Sequence, residues 1–154
     1  MKSMKHSGMS YEERNKGDNF AEDFFEDYCK NHYIRRIGFD EKKQPVDMFY
    51  NLPIMIRNIP DYYVIAKGKS FLCNVKGTDN IKQKEREIMA DLYKNFSNKD
   101  CQLIYAFCFK ENNRPIFKSI GEVMSLYDED EDKQWHDGVV YRNLKLRKVN
   151  YERR

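Results

Sequence analysis

Only three histidines and four cysteines occur in 154 residues, and no two cysteines stand in Cys-x-x-Cys spacing. That scarcity argues against a structural zinc site and against a disulfide framework. Cys29, Cys73, Cys101 and Cys108 lie in apolar surroundings and read as reduced core residues of a cytosolic protein. His6, His32 and His136 are scattered, which gives a Cys–His nucleophile little support. No apolar stretch approaches the roughly 20 residues of a membrane span, so no membrane partner is expected. No secretory signal is visible, and the expected location is cytoplasmic, or nuclear in a eukaryotic or viral setting. Internal repeats and a glycine-rich phosphate loop are also missing.

What is present is enough for one folded domain. Hydrophobic residues make up 40% and aromatics 14%, and a chain of this length can bury a real core. Residues 1–18 are polar and read as a flexible leader, with a single domain over 19–154. Charged residues make up 34%, but the net charge of +3 is too small to establish a polyanion partner. The distribution says more. Asp128 to Asp132 is an unbroken acidic run, while the basic tail from about 141 to 154 holds Arg142, Lys145, Arg147, Lys148, Arg153 and Arg154. Such a tail can lie along phosphates, although charge runs are more often solvated segments.

The spacing predicts a first helix over Asn19 to His32, with Asn19 and Glu22 as a capping box. Phe20, Ala21, Phe24, Phe25, Tyr28 and Cys29 would form its apolar face. Glu22 falls about 20° from Cys29 around the helix, at the edge of that face. "YIRRI" reads as a strand. "YYVIA" and "FLCNV", separated by "KGKS", read as a β-hairpin. A turn centred on Gly68 would set Asp61 opposite Lys76 and Tyr63 opposite Asn74. Side chains alternate along a strand, so Asn74 and Lys76 share a face.

A second helix is expected from about Asn80 to Phe96, with Glu85 inside its buried stripe, about 40° from Ile81. "QLIYAFCF" reads as a strand covered on both faces. A short helix near Ile120 to Tyr127 and a closing strand "VVYRNLKL" complete the chain. The expected class is α/β, a mixed sheet flanked by helices.

Glu22, Asp61, the Val75 carbonyl and Lys76 could together serve phosphodiester hydrolysis. That chemistry needs a hard divalent ion on oxygen ligands, an oriented water and positive charge for the transition state. On "FAEDFFEDYCKNHY", "IPDYYV" and "NVKGT", in αβββαβ order from Asn19 to Phe109, the chain resembles the PD-(D/E)XK nuclease superfamily. That superfamily includes restriction endonucleases and Holliday-junction resolvases. The resemblance implies a restriction-endonuclease-like core and a Mg²⁺-dependent endonuclease, with Mn²⁺ able to substitute. It assigns Glu22 as the first-helix acid, Asp61 as the central metal ligand, Val75 as a carbonyl ligand and Lys76 as the lysine. The substrate would be nucleic acid, DNA rather than RNA. The chain's size is similar to resolvase-type members that act as homodimers.

Asn74 stands where the family has Asp or Glu, and an amide lacks the charge of a tight hard-cation site. Three explanations are open. Asn74 replaces an original aspartate, or the missing carboxylate comes from the following helix as Glu85, or the protein binds nucleic acid without cleaving it. The last makes the chain a non-catalytic module that keeps the nuclease fold. Bland readings stand beside each assignment: a turn at Asp61, a cap acid at Glu22, a structural ion pair at Glu85. Arg35, Arg36, Thr78, Lys82, Gln83 and Lys84 are candidate nucleic-acid contacts, with Lys42 and Lys43 behind them. Tyr62 and Tyr63 read as packing residues.

Overall fold

The computed structural model describes residues 11–38, 53, 58–96 and 100–147, with 11–19 and 95–96 described by backbone alone. Helix α1 (Tyr11–Tyr28) leads into β1 (Tyr33–Arg36), β2 (Tyr62–Ala66) and β3 (Lys69–Lys76). Strand β4 (Asn80–Lys82), α2 (Gln83–Phe96) and β5 (Cys101–Phe107) follow. The chain continues through β6 (Ile116–Ser119), α3 (Ile120–Asp128), β7 (Lys133–Gln134) and β8 (Val140–Asn143). Five strands form a mixed sheet in the order β1-β2-β3-β5-β6, and β4-β8-β7 form a small second sheet. Among the described strands of the large sheet, only β3 and β5 pair in parallel. The α2 crossover between them makes that parallel pairing possible. No described helix is long and apolar enough to cross a membrane.

Each face of the large sheet buries its own core. Ala21, Phe25 and Cys29 of α1 pack on Tyr62, Val64, Cys73, Val75, Ala106 and Cys108. On the other face, Ile88, Met89 and Leu92 of α2 and Ile120 and Val123 of α3 pack on Leu103, Tyr105 and Phe107. A fully buried phenylalanine such as Phe25 contributes about 1.5–3 kcal/mol by leaving water. Strand β5 is therefore buried from both sides, as its unbroken apolar run implies. Burial pushes the Cys29 thiol up to about 11 and the Cys108 thiol to about 12. These are inert core thiols.

Several boundaries differ from the expectation, and the first helix ends at Tyr28 instead of His32. Helix α1 begins at Tyr11, so Asn19 is an interior residue and does not cap it. The second helix begins at Gln83, because Asn80, Ile81 and Lys82 pair instead with Asn143, Arg142 and Tyr141. Asn143 Nδ2 donates to Asp79 Oδ1 and Asn80 Oδ1 and ties that pairing down. The Ile120 helix forms as expected, with a Ser119–Glu122 capping box. Strand β6 just before it had no counterpart in the reading.

The hairpin register is also tighter than expected. Lys67 and Gly68 sit at φ 52° and 76°, the two positive φ values of a type I′ two-residue loop. Tyr63 therefore faces Leu72, and Tyr62 faces Cys73. The shift is by an even number of residues, so every side chain keeps its face. Lysine is poorly suited to positive φ. Lys67→Asn is expected to raise unfolding free energy by about 0.5–1 kcal/mol in a denaturant titration.

The acidic run and the start of the basic tail meet in two ion pairs, Arg142–Asp132 and Lys145–Asp130. Arg142 Nε lies 2.8 Å from Asp132, and Arg147 pairs with Glu111. Lys133 and Lys145 approach Asp130 at 2.9 and 3.2 Å, and Asn143 N donates to the same carboxylate. Residues 141–147 thus belong to the fold, while Lys148, Arg153 and Arg154, like Lys42 and Lys43, lie outside the described residues. Burial alone would raise the pKa of Asp130, but these donors outweigh it and hold the carboxyl below the usual range. Its contribution is fully present above the unfolded pKa of about 3.9 and fades as pH falls toward the lower native value. Asp130→Asn is expected to flatten the acid limb of a stability–pH profile, measured by thermal melts below about pH 5.

Candidate functional site

Asp61 follows buried Pro60 at the entrance to β2. Its backbone oxygen accepts from Ile37 N at 2.9 Å and Gly38 N at 3.1 Å, which fixes the exit of β1. Gly38 packs so close that a Cβ there would stand 3.1 Å from Asp61 Cα. The carboxylate Oδ2 accepts from Val75 N at 2.8 Å. An extended residue sends its N–H and C=O to the same edge, so the Val75 carbonyl also looks toward Asp61.

Asp61, Asn74 and Glu85 line one small cavity between α2 and the sheet, with Asn58, Ile59 and Tyr105. Its volume of about 100 Å³ holds a few waters. Glu85 reaches it from the first turn of α2. One Glu85 oxygen lies 3.1 Å from Lys76 Nζ, and the other accepts from Tyr105 Oη at 2.6 Å. Tyr105 stands beside Asn74 in the β3–β5 register. Burial first, and then the Glu85 charge, keep its phenol protonated well above the ordinary range.

Glu22 reaches the cluster from the opposite side of the sheet end, through Arg36. Arg36 Nη1 lies 2.9 Å from Glu22 Oε1, and Nη2 lies 3.7 Å from Asp61 Oδ1. Its Nε donates to the Gly38 carbonyl at 3.1 Å, and its guanidinium stacks over the Tyr62 ring. Burial alone would lower the pKa of Arg36, but Asp61 and Glu22 raise it, so the bridge is permanently cationic. Tyr62 donates to Glu26 and stays protonated through burial and that bond.

Asp61, Asn74 and Glu85 thus share the cavity, Lys76 joins them through Glu85, and Glu22 does not line it but is tied to Asp61 only through Arg36. Arg36 belongs to this cluster, not to a phosphate-facing surface as read from sequence. Arg35, Lys82, Gln83 and Lys84 are exposed around it, and Thr78 is half-buried, its Oγ1 accepting from Asn80 N at 3.5 Å. Lys82 ends β4 rather than opening a helix. The roles of Arg36 and Tyr105 were missed. Tyr105 was signalled by a hydroxyl inside an apolar strand, which needs a partner when buried.

Among the described residues, no three His, Cys, Asp or Glu side chains gather closely enough to hold a metal. A hard divalent ion does not need three, because Mg²⁺ is commonly held by one or two carboxylates with waters completing the shell. The Asp61 and Glu85 carboxylates and the Asn74 amide oxygen, which line a small polar cavity, are hard oxygen donors of the kind that fit such an ion. No protein-family model and no curated protein matches the chain.

Proposed function

We propose that the chain is a Mg²⁺-dependent nuclease of the PD-(D/E)XK type, acting on DNA rather than RNA. The observation that carries the reading is the cavity shared by Asp61, Asn74 and Glu85, with Lys76 on Glu85. The order α1-β1-β2-β3-β4-α2-β5, with β3 and β5 parallel and only the short β4 added, supports a restriction-endonuclease-like core. Asp61 and Glu85 would hold the ion with the Asn74 amide oxygen and the Val75 carbonyl. Glu85 would thus supply the carboxylate that position 74 lacks. The bound ion supplies Lewis acidity at the scissile phosphate and an acidified water.

The remaining work falls to the chain's own groups. Arg36 holds Asp61 in place from the α1 side. Tyr105 orients Glu85 by donating its phenol hydrogen to one carboxylate oxygen. The Lys76 ammonium, anchored on Glu85, offers positive charge where a phosphate oxygen would gain negative charge. Homodimer formation, as in resolvase-type enzymes, completes the proposal.

One feature favours a second reading. Asn74 leaves a single carboxylate on the hairpin, and Lys76 and Arg36 already neutralise Glu85 and Asp61. A module that binds nucleic acid without cleaving it would be built this way. Calorimetric titration with Mn²⁺ separates the two. The nuclease reading expects saturable binding that weakens at least about tenfold in Glu85→Gln. Absence of Mn²⁺ binding at millimolar concentration favours the module.

A further inference from the structure

On the sheet face away from α1, the helices α2 and α3 cover β5 and part of β3. No described helix or strand covers the neighbouring part, over β1 and β2. Tyr33 is 53% exposed and Ile65 38%, and Arg35 is exposed beside half-buried Tyr63. The register sets these side chains in two successive rows, Tyr33–Ile65–Ser70 and Arg35–Tyr63–Leu72. The next row along β3 is Asn74, at the cavity. The open face therefore runs directly into the candidate site.

Its chemistry is specific. The Tyr33 and Tyr63 rings meet edge to face with centroids 6.2 Å apart, so the pair occupies one face of one ring and does not stack the two rings face to face. Tyr63 Oη is tied to Ser70 Oγ at 2.9 Å, which holds that ring in position. Neither row contains an acidic side chain, Arg35 adds positive charge, and exposed Lys67 lies at the hairpin turn. Aromatic rings on an open sheet with cations nearby suit unpaired bases and their phosphates. A duplex keeps its base faces inside the stack and cannot present them.

We propose that the open face of β1 and β2 binds single-stranded nucleic acid, with bases stacked on Tyr33 and Tyr63 and the backbone along Arg35, and leads it to the Asp61 cavity. This rests on the reading of that cavity as a nucleic-acid site. It makes the substrate one with an unpaired strand, such as a flap, a splayed end or a single strand.

The test is fluorescence anisotropy with labelled oligo-dT and with a duplex of equal length, in EDTA so that cleavage plays no part. The full chain is expected to prefer the single strand. Tyr33→Ala should weaken that binding about tenfold or more, and Tyr33→Phe should preserve it. Arg35→Ala should reduce the salt slope by about one phosphate contact. Tyr33 is exposed, and a thermal melt checks that the alanine variant still folds. Tighter binding to duplex, or unchanged single-strand binding in Tyr33→Ala, overturns the proposal. So does a dimer that Tyr33→Ala dissociates while oligo-dT binding persists, because the face then joins two copies. Tyr33-dependent binding without any cleavage would sustain this proposal and remove the nuclease reading. Cleavage of duplex with no Tyr33 dependence would do the reverse.

Discussion

Asp61→Asn is expected to fold like the parent and to lose metal-dependent cleavage by at least about a hundredfold. The amide keeps an oxygen for the Val75 N–H, so the end of β3 stays closed. It removes the negative charge, and with it the strongest hard-cation ligand on the hairpin. Asp61→Ala should lose the same activity and also stability. That change leaves Val75 N without its acceptor, and such an unmet bond costs about 1–3 kcal/mol. Thermal melts with single-turnover cleavage of both variants divide the structural role from the chemical one. Full cleavage by Asp61→Asn would remove Asp61 from the metal site.

The second large effect is expected at Glu85. Glu85→Gln retains an oxygen for Tyr105 but loses both the ion pair to Lys76 and the second carboxylate. Cleavage should fall by about two orders of magnitude or more. Adding Asn74→Asp in the same chain should restore much of it, because the new carboxylate enters the same cavity. A Glu85 that serves only as the counter-ion of Lys76 behaves differently: Glu85→Gln then lowers the melting temperature and leaves cleavage in place. Rescue in the double variant, compared with each single change, is the informative readout.

The outcome of the sequence reading follows which interactions are local. Alternation along a strand put Asn74 and Lys76 on one face, and helical periodicity aimed Glu85 at the sheet. Both hold, because each depends on backbone geometry alone. The hairpin register did not follow, since it turns on whether Lys67 accepts a positive φ, and lysine gives no sign that it will. Asn80 to Lys82 continue a helical pattern, yet they pair with a strand 60 residues downstream, and no local rule anticipates such a partner. Arg36 was read as a surface cation because nothing nearby in sequence places it between Glu22 and Asp61. Tyr33 and Tyr63 became a surface only once the sheet order placed β1 and β2 beyond the described helices.

The decisive measurement is cleavage by the purified chain of single-stranded, flapped, junction and duplex DNA with Mg²⁺ or Mn²⁺. EDTA and Asp61→Asn serve as controls. The predicted result is strand scission that requires the ion and disappears in both controls. Binding of these DNAs without scission, in the parent chain and in Asn74→Asp alike, would contradict it and leave a nucleic-acid-binding module.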